Sequence, residues 1–129
     1  MRKSANHREL SRRERQIMDV LYRLGKASAA GIREALSHPP SYTAVRTHLT
    51  ILHQKNLVKY ENDGIRYIYE PVVPRDEMGR SVIEGVLQTF FDNSVERVVA
   101  TLIDRDEAIS EEQLDRLAQI IEQARREGR

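Results

Sequence analysis

Apolar positions recur along this chain with a helical period, then with a strand period, then with a helical period again. Ile17, Leu21 and Leu24, with Met18 beside them, form the first stripe. Ser11 and Glu14 precede it at capping-box spacing: the serine hydroxyl accepts from the amide three residues on, and the carboxylate reaches back. Gly25 follows where a positive φ closes a helix without steric cost, so a helix is predicted over about 12–24. Ser28 is the next N-cap, and Ile32, Ala35 and Leu36 form a short stripe for a second helix over about 29–37. His38-Pro39-Pro40 breaks it, because proline lacks an amide hydrogen and forces its predecessor out of the α conformation. Ser41 caps a third helix over about 42–55, with Val45, Leu49 and Leu52 as its buried stripe and Asn56 as a left-handed terminator.

The period then becomes two. Residues 57–61 and 65–70 are rich in β-formers and flank Asn62-Asp63-Gly64, and Asp-Gly is a strong hairpin signal. Pro71 and Pro74 end the second strand and open a linker. Helical spacing returns over about 76–91, with Ile83, Val86, Leu87, Phe90 and Phe91 apolar. Ser94 caps a helix over about 95–104 that carries Val95, Val98, Val99, Leu102 and Ile103. Ser110 and Gln113 form another capping box before a last helix with Leu114, Leu117, Ile120 and Ile121. Arg125-Arg126 near its end complements the negative pole of the helix dipole.

Three short helices followed by a β-hairpin is the winged helix-turn-helix order. On the third helix, the stripe opposite the apolar one is Thr43, Arg46, Thr47, Thr50 and Gln54. It is wholly polar and contains no acid, whereas a solvated face ordinarily mixes both signs. Such side chains suit a major groove: arginine can bond a guanine edge or a phosphate, and threonine brings a hydroxyl and a methyl. The plainer alternative is a solvent face with few acids. Ser41 and Tyr42 at the start of the helix join the candidate DNA-binding set. Lys59 and Arg66 flank the hairpin tip and are candidates for phosphate or minor-groove contact, against the alternative of solubilising charges on an ordinary hairpin. Tyr60, Tyr67 and Tyr69 are expected to pack rather than stack on bases. Arg2, Lys3 and Arg8, in a basic and non-periodic arm over 1–10, offer only nonspecific attraction.

Charge sharpens this picture. The net charge of +1 is a cancellation. Residues 1–75 carry 14 Lys and Arg against 7 Asp and Glu, and residues 76–129 carry 7 against 13. A basic half that meets a polyanion is joined to an acidic half with another task. In that second half three amphipathic helices expose more apolar surface than about 50 residues can bury alone. A second copy of the chain is the economical solution, with Leu87, Phe90, Phe91, Val95, Val98, Val99, Leu102, Ile103, Leu114, Leu117 and Ile121 as the dimerisation set. The alternative is that these helices pack on the winged helix of their own chain.

At 129 residues the chain is one ordinary domain, or a small domain with an appendage. Cysteine is absent, which removes disulfides, thiolate metal sites and thiol catalysis. The apolar runs are too short for a bilayer-spanning helix, and the first ten residues lack the apolar region of a secretory signal, so a cytoplasmic protein with no membrane partner is expected. No catalytic set or phosphate-binding glycine loop emerges, and neither enzyme activity nor a cofactor is expected. His48 and His53 diverge by about 140° around their helix and share no metal face, so no metal site is expected.

Tyr42-Thr43-Ala44-Val45-Arg46-Thr47-His48-Leu49, then Lys55-Asn56-Leu57-Val58, then Asp63-Gly64 with Tyr67-Ile68-Tyr69-Glu70-Pro71, resemble the penicillinase-repressor (BlaI/MecI/CopY) family of bacterial transcriptional repressors. The likeness covers about residues 10–121. It implies a homodimer on a pseudo-palindromic double-stranded DNA operator, with Thr43, Arg46, Thr47 and Thr50 on the reading helix. The chain departs from the pattern at Ile51, where a basic residue is expected, at Asn56, where glycine is usual, and at Ile65, where Arg or Lys is common. Copper-sensing members carry C-terminal cysteines that this chain lacks. The resemblance also brings in a sensor protease as a candidate partner, although Thr101-Leu102 stands where the β-lactam-responsive members carry the cleaved Asn-Phe bond.

The expected architecture is thus mainly α with a small β-hairpin wing: a basic arm over 1–10, a winged-helix DNA-binding domain over 11–74 and a helical dimerisation domain over 75–129. The expected function is sequence-specific repression of transcription. Two alternatives stand beside it: a small-molecule-responsive winged-helix regulator with a pocket near Phe90-Phe91, and a winged helix that binds proteins but not DNA. The acid-free stripe argues against the second.

Overall fold

The computed structural model describes residues 10–128, so most of the expected basic arm lies outside the described residues. The first helix, α1 (Arg12–Leu24), starts with the predicted capping box: the Glu14 amide donates to Ser11 Oγ at 3.1 Å, and the Ser11 amide donates to Glu14 Oε1 at 3.1 Å. Gly25 ends it at φ +85°. Helix α2 (Ala29–Ala35) is capped by Ser28, which accepts from the Gly31 amide. It stops two residues short of the expected boundary. Leu36 adopts an extended backbone, φ −81° and ψ 141°, and is buried in the core. Helix α3 (Tyr42–Gln54) is capped by Ser41, which accepts from the Ala44 amide at 3.1 Å. Asn56 takes the left-handed conformation behind it, at φ +65°.

A three-stranded antiparallel sheet completes the first part of the chain. It comprises β1 (Ala27–Ser28), β2 (Val58–Asn62) and β3 (Tyr67–Pro71), in the order β1-β3-β2. Strand β1 was not predicted, because two residues are too few to register a period. The hairpin also differs from expectation. Asn62 pairs with Tyr67, so the turn is a four-residue loop over 63–66 rather than the expected connection over 62–64. Its own polar groups close it. Asp63 Oδ1 accepts from the amides of Ile65 at 3.0 Å and Arg66 at 2.9 Å, Asn62 Oδ1 accepts from the Gly64 amide at 2.9 Å, and the Asp63 amide donates to the Arg66 carbonyl at 3.0 Å. The Arg66 and Ile65 amides hold the Asp63 carboxyl below the usual carboxylate range. Gly64 supplies the positive φ of +99° that the loop needs.

The core follows from the stripes. Ile17, Met18 and Leu21 of α1 meet Ile32 of α2 and Val45, Leu49 and Leu52 of α3, and Leu57, Val58 and Tyr69 close the cluster from the hairpin side. Leu10 is also buried there. One charged residue, Glu14, is buried among them at 5% exposure. Its Oε1 lies 3.0 Å from Lys55 Nζ, at the C-terminal end of α3. Burial alone would raise the Glu14 pKa. The Lys55 hydrogen bond, the Ser11 amide and the charges of Lys55 and His48 outweigh it and hold the carboxyl below the ordinary glutamate range.

Three further helices follow: α4 (Arg75–Phe90), α5 (Val95–Ile103) and α6 (Glu111–Arg126). The chain divides into two compact units within α4, between Glu84 and Gly85. In the second unit, Asp92 and Asn93 turn the chain with φ of 52° and 62°. Ser94 then caps α5, and Arg97 Nη1 reaches Asp92 Oδ2 at 3.1 Å. The Ser110–Gln113 capping box opens α6 as predicted. Neither α5 nor α6 contains a buried residue.

A depressed Glu14 pKa has a definite consequence for stability. The carboxylate stabilises the fold above the ordinary glutamate range, and that contribution is lost as pH falls through the lower folded-state value. Replacing Glu14 by Gln removes a charge-assisted bond and is expected to cost about 1–3 kcal/mol near neutral pH. Urea unfolding at pH 7 and pH 4 checks this: the gap between variant and wild type narrows in acid, and a gap independent of pH contradicts the account.

Candidate nucleic-acid interface

Helix α3 sorts its side chains cleanly. Val45, Leu49 and Leu52 are buried, whereas Ser41, Tyr42, Thr43, Arg46, Thr47, Thr50 and Gln54 are exposed. The exposed stripe contains no carboxylate. Thr47 Oγ1 donates to the Thr43 carbonyl and Thr50 Oγ1 to the Arg46 carbonyl, each at 3.0 Å. Their hydroxyl protons are therefore spent within the helix. What these threonines offer outward is acceptor lone pairs and methyl groups, which complement the amino groups of adenine or cytosine and the thymine methyl. Arg46 supplies the cationic donors. Its guanidinium carbon sits 6.0 Å from the centre of the Tyr42 ring, at the outer edge of a cation–π contact.

The hairpin lies beside the start of this helix. Tyr42 and Arg46 share a groove of about 260 Å³ with Asn62, Ile65, Arg66 and Tyr67. Arg66 is the last residue of the wing loop, with its Nε 3.9 Å from Asp63 Oδ2. Lys59 does not flank the tip. It pairs across the sheet with Glu70, three pairs behind the tip pair Asn62–Tyr67, on the face opposite Tyr60 and Tyr69. The three hairpin tyrosines are packed together: the Tyr60 ring lies 4.7 Å from Tyr67, 5.6 Å from Tyr69 and 4.9 Å from His53 of α3. Burial pushes the Tyr69 hydroxyl pKa up, against the pull of Arg46.

Two arginines fix the turn before α3. Arg13 Nη1 donates to the His38 carbonyl at 3.2 Å, and Arg33 Nε donates to the Pro40 carbonyl at 2.7 Å. Sequence reasoning missed both, because a side chain that bonds a distant carbonyl leaves no periodic trace. Arg13 also lines an open, mainly basic groove of about 520 Å³ with Arg12, Gln16, Asp19, Arg23 and His38. Among the described residues, no group of three or more His, Asp or Glu is placed to hold a metal ion. His48 is half-buried, with its Nδ1 unpartnered among the described residues.

In the second unit, Phe90, Val95, Val99, Leu102, Ile103, Leu114, Leu117 and Ile121 are exposed, while Leu87, Phe91 and Val98 are half-buried. No helix among the described residues is long and apolar enough to cross a membrane.

This arrangement has counterparts among known proteins. The chain resembles the complex structure of hsRosR-S4 at a TM-score of 0.55 and 20% identity, over 78% of this chain and 92% of that one. It also resembles the homodimeric winged helix-turn-helix DNA-binding domain of Mb0332 from Mycobacterium bovis, a possible ArsR-family transcriptional regulator, at a TM-score of 0.52 and 19% identity, over 73% and 85% of the two chains. These likenesses establish a winged helix-turn-helix fold, mainly helical, with a small antiparallel sheet. No curated protein sequence matches the chain. Residues 10–123 match the model of the penicillinase repressor, and the chain belongs to that family of transcriptional regulators.

Proposed function

We propose that this protein is a sequence-specific repressor that binds a pseudo-palindromic operator as a homodimer. The observation that carries the reading is the exposed, acid-free face of α3, with Thr43, Arg46, Thr47, Thr50 and Gln54 directed away from the core. In the proposed complex this face enters the major groove. Ser41 and Tyr42 approach the backbone at its start, and Arg66 meets phosphate from the wing. Lys59, set back opposite Glu70, contributes least. The second unit supports the dimer. A helical segment with this many exposed apolar side chains and no buried residue in α5 or α6 is costly to leave in water. Pairing it with a second copy covers Val99, Leu102, Leu114 and Leu117 and presents two reading helices to two half-sites. Repression then follows from occlusion of a promoter in the cytoplasm, without chemistry.

Selection of bound sequences from random duplex DNA is expected to recover an inverted repeat, and recovery of none contradicts the proposal. Arg46→Ala is expected to lose roughly 1–3 kcal/mol of operator affinity and to relax preference at one position of each half-site. A uniform loss across all sequences would make Arg46 a phosphate contact instead. The dimer has its own test. Val99→Asp combined with Leu117→Asp is expected to sediment as a monomer with an intact winged helix, and to bind the operator roughly a hundredfold more weakly. A variant that remains dimeric contradicts the assignment of this face.

A further inference from the structure

Ile65 stands at the tip of the wing loop and is 91% exposed. A single exposed aliphatic side chain is ordinary on a protein surface. This one differs in how it is held and what it stands beside. The loop that presents it is closed by the Asp63 and Asn62 side chains and by the Asp63 amide, which define its backbone conformation. It also lines the same groove as Tyr42, Arg46 and Arg66, on the side of the hairpin that faces the reading helix.

We infer that Ile65 is a specificity-determining residue that seats in the DNA minor groove beside each half-site and selects A·T over G·C pairs there. The inference rests on the operator reading above. In B-DNA one backbone strand separates the major groove from the adjacent minor groove. With α3 in the major groove, the groove between α3 and the wing, carrying Arg46, Arg66 and Tyr42, is where that strand passes. The side chain beyond it, at the wing tip, is Ile65. The minor-groove floor of an A·T pair presents only acceptors, whereas a G·C pair adds the guanine N2 amino donor. An aliphatic side chain over that amino group buries a donor without a partner, and this disfavours G·C.

The test is fluorescence anisotropy with the selected operator duplex, replacing each A·T pair that flanks the half-sites in turn with G·C or with inosine·C. Inosine·C matches G·C in the major groove but lacks the N2 amino group. Wild type is expected to bind roughly five- to tenfold more weakly when G·C replaces A·T at the wing position, and to recover with inosine·C. Ile65→Ala is expected to bring the three duplexes within about twofold of one another, Ile65→Val to keep the difference, and Asp63→Ala, which frees the loop, to reduce it. Discrimination that survives in Ile65→Ala, or that inosine·C does not relieve, overturns this inference alone. Failure of the wild type to bind any duplex specifically overturns the operator reading and this inference together.

Discussion

The Glu14 carboxylate is the N3 member of the capping box that starts α1, and it is also the partner of Lys55 at the end of α3. One buried charge therefore ties the first helix to the helix that faces outward. Behind it lies the apolar stripe Val45, Leu49 and Leu52, packed on Ile17 and Leu21. The stripe fixes which side of α3 is buried, and the ion pair bridges its C-terminal end to the start of α1. At the other end, Arg13 and Arg33 hold the carbonyls of His38 and Pro40 in the preceding turn. The direction in which Thr43, Arg46, Thr47 and Thr50 point follows from these three restraints.

That direction gives the charge distribution its meaning. The chain carries no acid on the exposed stripe of α3, and its basic excess lies in residues 1–75. The acid that does sit on α1's inner face is neutralised by Lys55 rather than left to repel a polyanion. The second unit carries the acidic excess and the exposed aliphatic side chains of α5 and α6. Like-charged DNA is a poor partner for it, and an apolar face on another copy is a good one.

Much of this was legible in the sequence, for identifiable reasons. Ser11, Ser28, Ser41, Ser94 and Ser110 each cap a helix, because a short hydroxyl side chain satisfies an amide that the first turn leaves free. The buried and exposed faces of α3 could be read from period alone, since every third or fourth residue shares a face. Other features left no such trace. The two-residue strand β1 forms because β3 is there to pair with it. The four-residue wing loop exists because Asp63 bonds two amides ahead of it, a choice that the Asp-Gly dipeptide does not distinguish from a tighter turn. The longer loop puts the tip at the pair Asn62–Tyr67 and leaves Lys59 farther behind it. The clamps of Arg13 and Arg33 span 25 and 7 residues, distances over which a sequence pattern is silent.

The central claim is that two copies of α3 lie in major grooves of one operator. Methylation interference on a selected duplex tests it most directly, because a methyl group on guanine N7 obstructs the major groove and leaves the minor groove open. The account predicts two symmetric clusters of interfering guanines, with centres about one helical turn, or a whole number of turns, apart. A single cluster, or no interference at guanine N7 in a duplex that the protein still binds, would contradict it.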